Sequence, residues 1–318
     1  MEALKAKARL ADLVGNVEKV IKGKRGQVEL AVIALLSGGQ LLIEDVPGVG
    51  KTMLARALAR SIDGSFKRIQ FTPDLLPSDI TGVNVYDQAS GTFRFHPGPV
   101  FANVVLADEI NRATPRTQSS LLEAMDEGQV TVDGETHPLP RPFMVIATQN
   151  PVEYHGTYPL PEGQLDRFCL NITLDYLDEG DEAVVVEGQL LRHPIEELGP
   201  VLTTAEVVEM QEAVRRVRVE RSLVEYALRI VRKTRSCPEL LLGASPRGSI
   251  FLLRTAQARA LLQGRDFVVP DDIKVLAVAV LAHRVILPSR RQDLARGRET
   301  VRRLMEEVPV PVGARESG

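Results

Sequence analysis

The chain has few cysteines and no long apolar run, and both absences restrict what it can be. Only Cys169 and Cys237 are present, far apart and without paired spacing, so a disulfide framework is excluded and a reducing cytoplasm is favoured. No apolar run approaches the roughly 18 residues that a membrane-spanning helix needs. The charged N-terminus, Met1 to Arg9, lacks the apolar segment of a secretion signal. We therefore predict a cytoplasmic protein with no integral membrane segment.

A strong charge of either sign and a histidine pattern for metal binding are also missing. The formal net charge of the 318 residues is -3, which gives no whole-chain reason to expect binding to nucleic acid. The five histidines do not have the spacing of metal ligands. With 44% apolar and 25% charged residues, the chain has the composition of a globular protein of one large or two modest domains.

An apolar run at 41–44 leads into a glycine-containing loop and then directly into a helical pattern. The loop nearly matches the phosphate-binding pattern G-x-x-x-x-G-K-[ST], in which Gly48 and Gly50 let the backbone turn its N–H groups towards one centre. Lys51 would add positive charge for the β- and γ-phosphates, and the Thr52 hydroxyl would hold Mg²⁺. The helix that begins near Lys51 adds its N-terminal dipole at the same point.

The match has one fault, because Asp45 stands where the pattern has its first glycine. A carboxylate beside bound phosphates is electrostatically unfavourable, so we expect the Asp45 side chain to point away from them. The simpler alternative is a glycine-rich turn between a strand and a helix. Such a turn gives no reason for Lys51 and Thr52 to follow Gly50.

Five apolar segments alternate with helical patterns over the first half of the chain. Continuous apolar strands of this kind are typical of a parallel sheet covered on both faces. The predicted strands are 40–44, 66–71, 103–107, 143–147 and 169–174. The helical patterns of the second half are at about 181–192, 204–217, 221–236, 246–263 and 270–284. We therefore predict an α/β fold, with a five-stranded parallel P-loop sheet between helices in residues 1–178 and a smaller all-helical lid domain in 179–318.

Two short segments do not fit the alternation of strands and helices. Apolar residues alternate on either side of a polar turn over 83–95, which is a hairpin signal. A second, shorter hairpin is predicted over 130–136. The first domain is thus expected to carry two β-hairpin insertions.

Polar residues stand at the ends of two of the predicted strands. Asp108 and Glu109 follow the third strand, and Asn150 follows the fourth. Since the carboxyl ends of parallel strands share one crevice, Asp108 can face a Mg²⁺ held by Thr52. Glu109 is then placed to polarise a water for attack on the γ-phosphate, and the Asn150 amide can bond that water or the phosphate. Taken alone, Asn150 could equally be a turn residue before Pro151.

Two arginines could stabilise the charge that develops on the transferred phosphoryl group. Arg167 lies just before the fifth strand, and Arg247 follows Ser245 and Pro246 at the start of a helix of the second domain. A guanidinium keeps its charge and binds oxyanions through a fork of N–H groups. For either arginine considered by itself, a surface ion pair is the more ordinary role.

Together these segments resemble a AAA+ ATPase of the MoxR type, from a clade with an insertion in helix 2 that includes the ATPase subunits of magnesium chelatase. The similar segments are Walker B at 106–113, the sensor 1 and arginine-finger region at 147–151, 156–161 and 164–168, and sensor 2 at 245–247. The likeness extends from about residue 10 to 305. The phosphate loop departs from the family pattern at Asp45.

The resemblance implies an ATPase that uses ATP and Mg²⁺, and it implies roles for particular residues. The implied catalytic residues are Glu109, Asn150, Arg167 and Arg247. The implied metal ligands are Thr52 and Asp108. The segment from Val20 to Gly23 resembles the stretch that packs on adenine. The nucleotide-binding residues are then expected to be Val20, Ile21, Pro47, Gly48, Val49, Gly50, Lys51, Thr52 and Met53.

The resemblance also implies an assembly and a task. Members of the family form hexameric rings, in which Arg167 would act on the nucleotide of the neighbouring subunit and Arg247 could do the same. The two hairpins resemble insertions that the family shares with magnesium-chelatase subunits and MCM-type helicases. MoxR proteins are thought to be chaperones that assemble or activate a partner protein, commonly one with a von Willebrand factor A domain.

Two other functions stay open at this point. In the first, ATP sets the assembly state of a binding module and slow turnover is incidental, which Asp45 and the lack of an added substrate-binding domain suggest. In the second, the hairpins of a motor contact nucleic acid, but the hairpin at 130–136 has no lysine or arginine for phosphates. The arginine runs at 215–221 and 290–303 include or adjoin acidic residues, which is more typical of solvated helix faces. No nucleic-acid partner is expected.

Overall fold

The computed structural model of the protein describes residues 3–150, 157–191, 194–288 and 294–311. The helices are α1 (Ala3–Glu18), α2 (Arg25–Leu36), α3 (Lys51–Ser61), α4 (Pro77–Thr81), α5 (Pro115–Glu127), α6 (Glu162–Leu165), α7 (Glu179–Leu191), α8 (Thr204–Arg216), α9 (Arg221–Arg235), α10 (Pro246–Leu262), α11 (Pro270–Leu281) and α12 (Leu294–Glu306). The strands are β1 (Leu41–Glu44), β2 (Phe66–Gln70), β3 (Gly82–Asp87), β4 (Thr92–Pro97), β5 (Val104–Asp108), β6 (Gln129–Val132), β7 (Glu135–Pro138), β8 (Met144–Gln149) and β9 (Leu170–Ile172). Pro151 and Gly156 of the sensor 1 region, and Arg290 and Arg291 of the second arginine run, lie outside the described residues.

Five strands form one parallel sheet in the order β2-β5-β8-β1-β9. Because β1 lies between β8 and β9, the loop that follows Glu44 leaves from the interior of the sheet. Glu44 is in register with Gln149, the last residue of β8, and Ala107 of β5 is in register with Ala147. The ends of these strands therefore meet at one edge, and the predicted α/β class with a five-stranded parallel sheet is confirmed.

Alternate side chains of the central strands are buried on opposite faces of the sheet. Leu41 and Ile43 belong to a core that also contains buried residues of α1, α2, α3 and the C-terminal helices. Leu42 and Val105 belong to a second core, which α5 covers with residues such as Leu121. Burial on both faces explains why these strands are continuous apolar runs in the sequence.

The second half of the described chain is helical, as predicted, with α7 to α12 following the sheet. The prediction of separate helical segments missed α12. This helix buries only small or medium side chains, among them Thr300, Val301 and Leu304, between exposed arginines. Its apolar stripe is therefore narrow, and the arginines dominate the pattern. The short helices α4 and α6 were also missed.

The helices that precede β1 pack against the C-terminal helices. α1 contacts α10, and α2 contacts α8 and α10. One continuous apolar core contains Leu10 of α1, Ile43 of β1, Tyr226 of α9 and Leu276 of α11. The core does not break near residue 178, so the domain division at 178 stays a prediction.

Two antiparallel hairpins project from the sheet region, β3 with β4 and β6 with β7. The Phe95 ring of the first hairpin stacks on the His137 ring of the second, with 3.9 Å between ring centroids and 9° between planes. The Asn84 amide donates a hydrogen bond of 2.8 Å to Asp133 Oδ2. The hairpins are therefore in direct contact. Among the described residues, no helix combines the length and apolar character that crossing a membrane requires.

Candidate active site

The loop between β1 and α3 has an open, glycine-dependent backbone. Gly48 and Gly50 have φ of +87° and +98°, a region that residues with a Cβ rarely adopt. A Cβ at Gly48 would meet no atom within 4 Å, so the loop faces open space there. Gly50 is the N-cap of α3, whose first N–H groups have no partner within the helix. Ile21 Cδ1 lies 3.9 Å from where a Cβ of Gly50 would be, which places the predicted adenine segment beside the loop.

Asp45 is buried, and backbone N–H groups hold both oxygens of its carboxylate. Asp45 Oδ2 accepts hydrogen bonds from the backbone N–H groups of Leu174 at 2.6 Å and Asp175 at 2.7 Å, just after β9. Asp45 Oδ1 accepts one from Val46 N at 2.8 Å. These contacts agree with the expectation that Asp45 points away from bound phosphate, which stays a prediction. This residue ties the loop to the edge strand of the sheet.

Lys51 lies at the start of α3 with its ammonium group over the loop. Lys51 Nζ donates a hydrogen bond of 2.6 Å to the backbone oxygen of Asp45. Burial lowers the pKa of the Lys51 ammonium, while the nearby carboxylates of Asp45, Asp108 and Glu109 act to raise it. These carboxylates favour the charged form of Lys51, and a bound anionic ligand would favour it in the same way.

Asp108 ends β5, and Thr148 of β8 orients it. The Thr148 hydroxyl donates a hydrogen bond of 2.6 Å to Asp108 Oδ1, and accepts one of 2.9 Å from Glu109 N. Glu109 has φ of +57° and ψ of +48°, an uncommon left-handed conformation for a residue with a Cβ. The chain turns sharply at Glu109, which directs its carboxylate to the same edge of the sheet as Asp108.

The edge strand β2 contributes two polar residues that the sequence argument missed. Arg68 forks onto Asp108 Oδ2, with Nε at 3.0 Å and Nη2 at 2.6 Å. Gln70 Nε2 donates a hydrogen bond of 2.6 Å to Glu109 Oε2, and Arg112 Nε lies 3.3 Å from the same oxygen. Both carboxylates therefore have polar partners. The sequence feature that could have identified Arg68 and Gln70 is the alternation of polar residues in the predicted strand at 66–71. That strand ends at the same edge of the sheet as Asp108.

These groups surround a cavity of about 370 Å³. The lining residues are Pro47, Gly48, Gly50, Lys51, Thr52, Met53, Arg68, Asp108, Glu109 and Asn150. Most of the predicted nucleotide residues, both predicted metal ligands, Glu109 and Asn150 thus come together. Val20, Ile21 and Val49 do not line the cavity. They pack in the adjacent apolar core.

Arg167 and Arg247 lie together, but they do not line this cavity. Arg167 Nη1 is 3.1 Å and Arg247 Nη2 is 3.3 Å from the same oxygen, Asp126 Oδ2, near the end of α5. Arg167 Nη1 also donates to the backbone oxygen of Leu122 at 3.0 Å. The two predicted arginines therefore lie next to each other, and neither contacts the cavity at the phosphate loop of its own chain. Asp126 had no distinguishing signal in the sequence.

The lining residues suit a nucleotide with Mg²⁺. Mg²⁺ prefers oxygen ligands, which the Thr52 hydroxyl and the Asp108 carboxylate would provide in the same cavity. Lys51 and the N–H groups of the loop would hold the phosphates. When bound, ATP would supply the phosphoryl group and Mg²⁺ would neutralise part of its charge.

The chain matches two family models. The ATPase family associated with various cellular activities (AAA) matches residues 40–170, and the AAA lid domain matches residues 232–307. A crystal structure of a candidate ATPase from Cytophaga hutchinsonii superposes with a TM-score of 0.89 at 39% identity, covering 98% of this chain and 97% of the other.

Relatives over most of the chain are similar in sequence as well. YeaC, an uncharacterised protein of Bacillus subtilis, is 53% identical over 95% of each chain. Chaperone MoxR1 of Mycobacterium tuberculosis is 42% identical over 86% of this chain and 74% of its own. A magnesium-chelatase subunit of Arabidopsis thaliana, ChlI-1, is 28% identical over 61% of this chain and 46% of its own.

The sheet, the phosphate loop and these similarities define an ATPase of the AAA class. Within that class, the chain belongs to the MoxR family. The predicted recognition, including the relation to magnesium-chelatase subunits, is confirmed. The individual site residues stay predictions.

Proposed function

We propose that the chain uses ATP hydrolysis to remodel a partner protein, and that its copies act together in a ring. The position of Arg167 and Arg247 carries this proposal. Both guanidinium groups meet at Asp126, and neither lines the phosphate cavity of its own chain. Phosphoryl transfer benefits from a guanidinium on the transferred group. A second copy that presents these arginines would complete the site.

Each predicted residue then has a defined task within that site. Lys51 and the loop hold the phosphates, while Thr52 and Asp108 hold Mg²⁺. Glu109 accepts the proton of the attacking water, and Asn150 orients that water or the γ-phosphate. The neighbouring copy contributes Arg167 and Arg247 to the developing charge.

The chaperone role rests on family membership and on exposed apolar side chains. MoxR1 of Mycobacterium tuberculosis is described as a chaperone. The first hairpin of this chain exposes Val83, Val85, Tyr86 and Phe93, which supports contact with a protein. By the family resemblance we propose a hexameric ring, a cytoplasmic location and a partner with a von Willebrand factor A domain.

Mixing two inactive variants tests whether neighbours complete the site. Lys51→Ala removes a phosphate ligand but keeps both arginines. Arg167→Ala removes one arginine but keeps the phosphate loop intact. If Arg167 acts on the neighbour, an equimolar mixture regains ATP hydrolysis at those interfaces that unite an intact loop with an intact arginine. A mixture of Lys51→Ala with Glu109→Gln is the matched control, because both changes affect one cavity and no arrangement repairs it. If the mixture of Lys51→Ala and Arg167→Ala is as inactive as the control mixture, the proposal of action between copies is overturned.

The alternative function is a nucleotide-gated assembly module with slow, incidental turnover. The contacts of Asp108 and Glu109 with Arg68, Gln70 and Arg112 favour it, because they oppose metal binding and base catalysis. This alternative predicts that nucleotide changes the sedimentation of the chain while hydrolysis stays near background at every protein concentration. A rate per chain that rises steeply with protein concentration would contradict it.

A further inference from the structure

Asp126 lies in the last turn of α5 and connects three elements through one oxygen atom. Its Oδ2 forms an ion pair with Arg167, which precedes β9, and accepts a hydrogen bond from Arg247, in the first turn of α10. The two guanidinium nitrogens are therefore within two hydrogen-bond lengths of each other. A second contact lies close by, since the Ser245 hydroxyl that caps α10 donates a hydrogen bond of 2.8 Å to Asp166 Oδ2.

One carboxylate between two guanidinium groups leaves an excess positive charge. Like charges this close repel each other unless an anion lies between them. The donor capacity is also incompletely used, because Arg167 Nε is buried and has no hydrogen-bond partner. A buried donor without a partner costs free energy, which a shift of the Arg167 side chain onto an additional acceptor would recover. The cluster is thus suited to receive a further anion.

The cluster is also accessible to a ligand. The side chains of Arg167, Asp126 and Arg247 are 31%, 32% and 45% exposed, respectively. Exposed ion pairs are weak, so another anion can replace the carboxylate without a large cost. Guanidinium forks match the geometry of phosphate oxygens better than that of a single carboxylate oxygen.

Taking from the proposed function that Arg167 and Arg247 receive a polyphosphate oxyanion, we propose that Asp126 is an internal anion with which this ligand competes. This inference rests on the proposed function in one respect, namely that the natural ligand is the nucleotide phosphate of a neighbouring copy. Asp126 is a positioning residue. It keeps an arginine from the sheet domain and one from the helical region at a common point, and it reduces their affinity for anions until the neighbour's phosphate replaces it.

Titration with inorganic tripolyphosphate tests the site without any turnover. The titration uses the Lys51→Ala variant as the parent, so that binding at the phosphate loop does not dominate the signal. Binding is followed by calorimetry at low ionic strength. Adding Asp126→Asn removes the competing charge but keeps the shape, and we expect the affinity to rise about fivefold, as the loss of two exposed ion pairs allows. Adding Arg247→Ala should reduce the affinity by a similar factor.

Glu127→Gln is the matched control for Asp126→Asn. Glu127 is the next residue of α5, is exposed and loses the same charge, yet it contacts Gln129 and not the arginines. We expect less than a twofold change there. Asp126→Glu restores the charge and should return the affinity to that of the parent. Equal effects of Asp126→Asn and Glu127→Gln, or weaker binding by Asp126→Asn, would overturn the proposal.

A second measurement separates this inference from the proposed function. ATP hydrolysis per chain is followed against protein concentration with Lys51 intact. Asp126→Asn should lower the half-saturating protein concentration several-fold, whereas a merely structural role of Asp126 would leave that concentration unchanged or raise it. If the rate per chain does not depend on concentration and sizing shows that the chain stays monomeric over that range, action between copies is wrong. The tripolyphosphate titration still decides whether Asp126 competes for an anion site.

Discussion

The guanidinium of Arg68 lies against Asp108, the residue that we propose as a ligand of Mg²⁺. The fork on Asp108 Oδ2 and the Thr148 hydroxyl on Oδ1 use both carboxylate oxygens. Arg68 is 49% exposed, so its ion pair is weak enough to be exchanged. If Asp108 binds Mg²⁺ as proposed, the metal ion would compete with Arg68.

Arg68→Gln should strengthen the dependence of nucleotide binding on Mg²⁺. The ratio of the ADP dissociation constant in EDTA to that in Mg²⁺ is expected to rise about threefold, because the metal no longer displaces an ion pair. A fluorescent ADP analogue reports both constants. Lys67→Gln is the control, since Lys67 is an exposed cation of the same strand that does not line the cavity. An unchanged ratio in Arg68→Gln would show that Arg68 does not compete with the metal.

The site residues that could be predicted from the sequence belong to short motifs or stand at the ends of predicted strands. Gly48, Gly50 and Lys51 form a contiguous motif, and Asp108 could be placed from the ends of parallel strands alone. A contact between strands can be predicted only when the strand register and the side-chain conformations are known. The hydrogen bond from Thr148 to Asp108 could therefore not be predicted from the sequence. Asp126 is an exposed acid near a helix end, a common feature that becomes informative only when two arginines meet there.

Glu44 gives a pH-dependent contribution to stability. Burial raises the pKa of its carboxyl, while the Asn171 amide at 2.5 Å and the charge of Arg298 act to lower it. A raised folded-state pKa means that folding disfavours the ionised form. Ionised Glu44 therefore lowers the free energy of unfolding. This loss of stability is absent at a pH below the pKa of Glu44 in the unfolded chain and fully present above its pKa in the folded state.

Glu44→Gln should therefore raise the thermal unfolding midpoint at pH 8, and this gain should shrink as the pH falls towards 5. The amide oxygen of the new side chain can still accept from Asn171. Unfolding curves between pH 5 and 8 measure the effect. Glu306→Gln, at an exposed position of α12, should give no such trend. A gain of equal size at every pH would mean that packing, and not ionisation, is responsible.

At the scale of elements, the two hairpins act on each other through one aromatic stack. Phe95 and His137 are 3.9 Å apart, and the chain between their hairpins includes β5 and α5. A stacked pair of this kind contributes about 0.5–1.5 kcal/mol. His137→Ala should therefore increase amide hydrogen exchange in β3 and β4 about fivefold, by the free energy of the lost stack.

Mass spectrometry of exchange over residues 82–97 measures that change. His96→Ala is the control, because His96 lies on the same hairpin and is exposed. If both variants exchange alike, the stack does not couple the hairpins. The sequence indicated each hairpin by its alternation, but the contact between them joins residues 42 positions apart and has no local pattern. The same limit explains why α12 was missed, since its few buried side chains are recognised only against α9 and α11.

At the scale of the whole molecule, a buried arginine joins the helical region to the loop that carries Arg167. Arg284 follows α11 and donates to Asp166 Oδ1 at 3.0 Å, and it also donates to the backbone oxygen of Phe168. Burial lowers the pKa of its guanidinium to about 10, although Asp166 acts to raise it. A charge in this environment depends strongly on its partner.

Asp166→Ala should thus destabilise the protein by about 3 kcal/mol, because the Arg284 charge remains buried without its carboxylate. Ser245→Ala removes only the other hydrogen bond to Asp166 and the cap of α10, and should cost about 1 kcal/mol. Urea unfolding measures both values. Since one apolar core extends from α1 to α11, we expect a single transition by tyrosine fluorescence and by circular dichroism. Equal costs for the two variants would contradict a dependence of stability on the Arg284 charge, and two separate transitions would contradict one cooperative core.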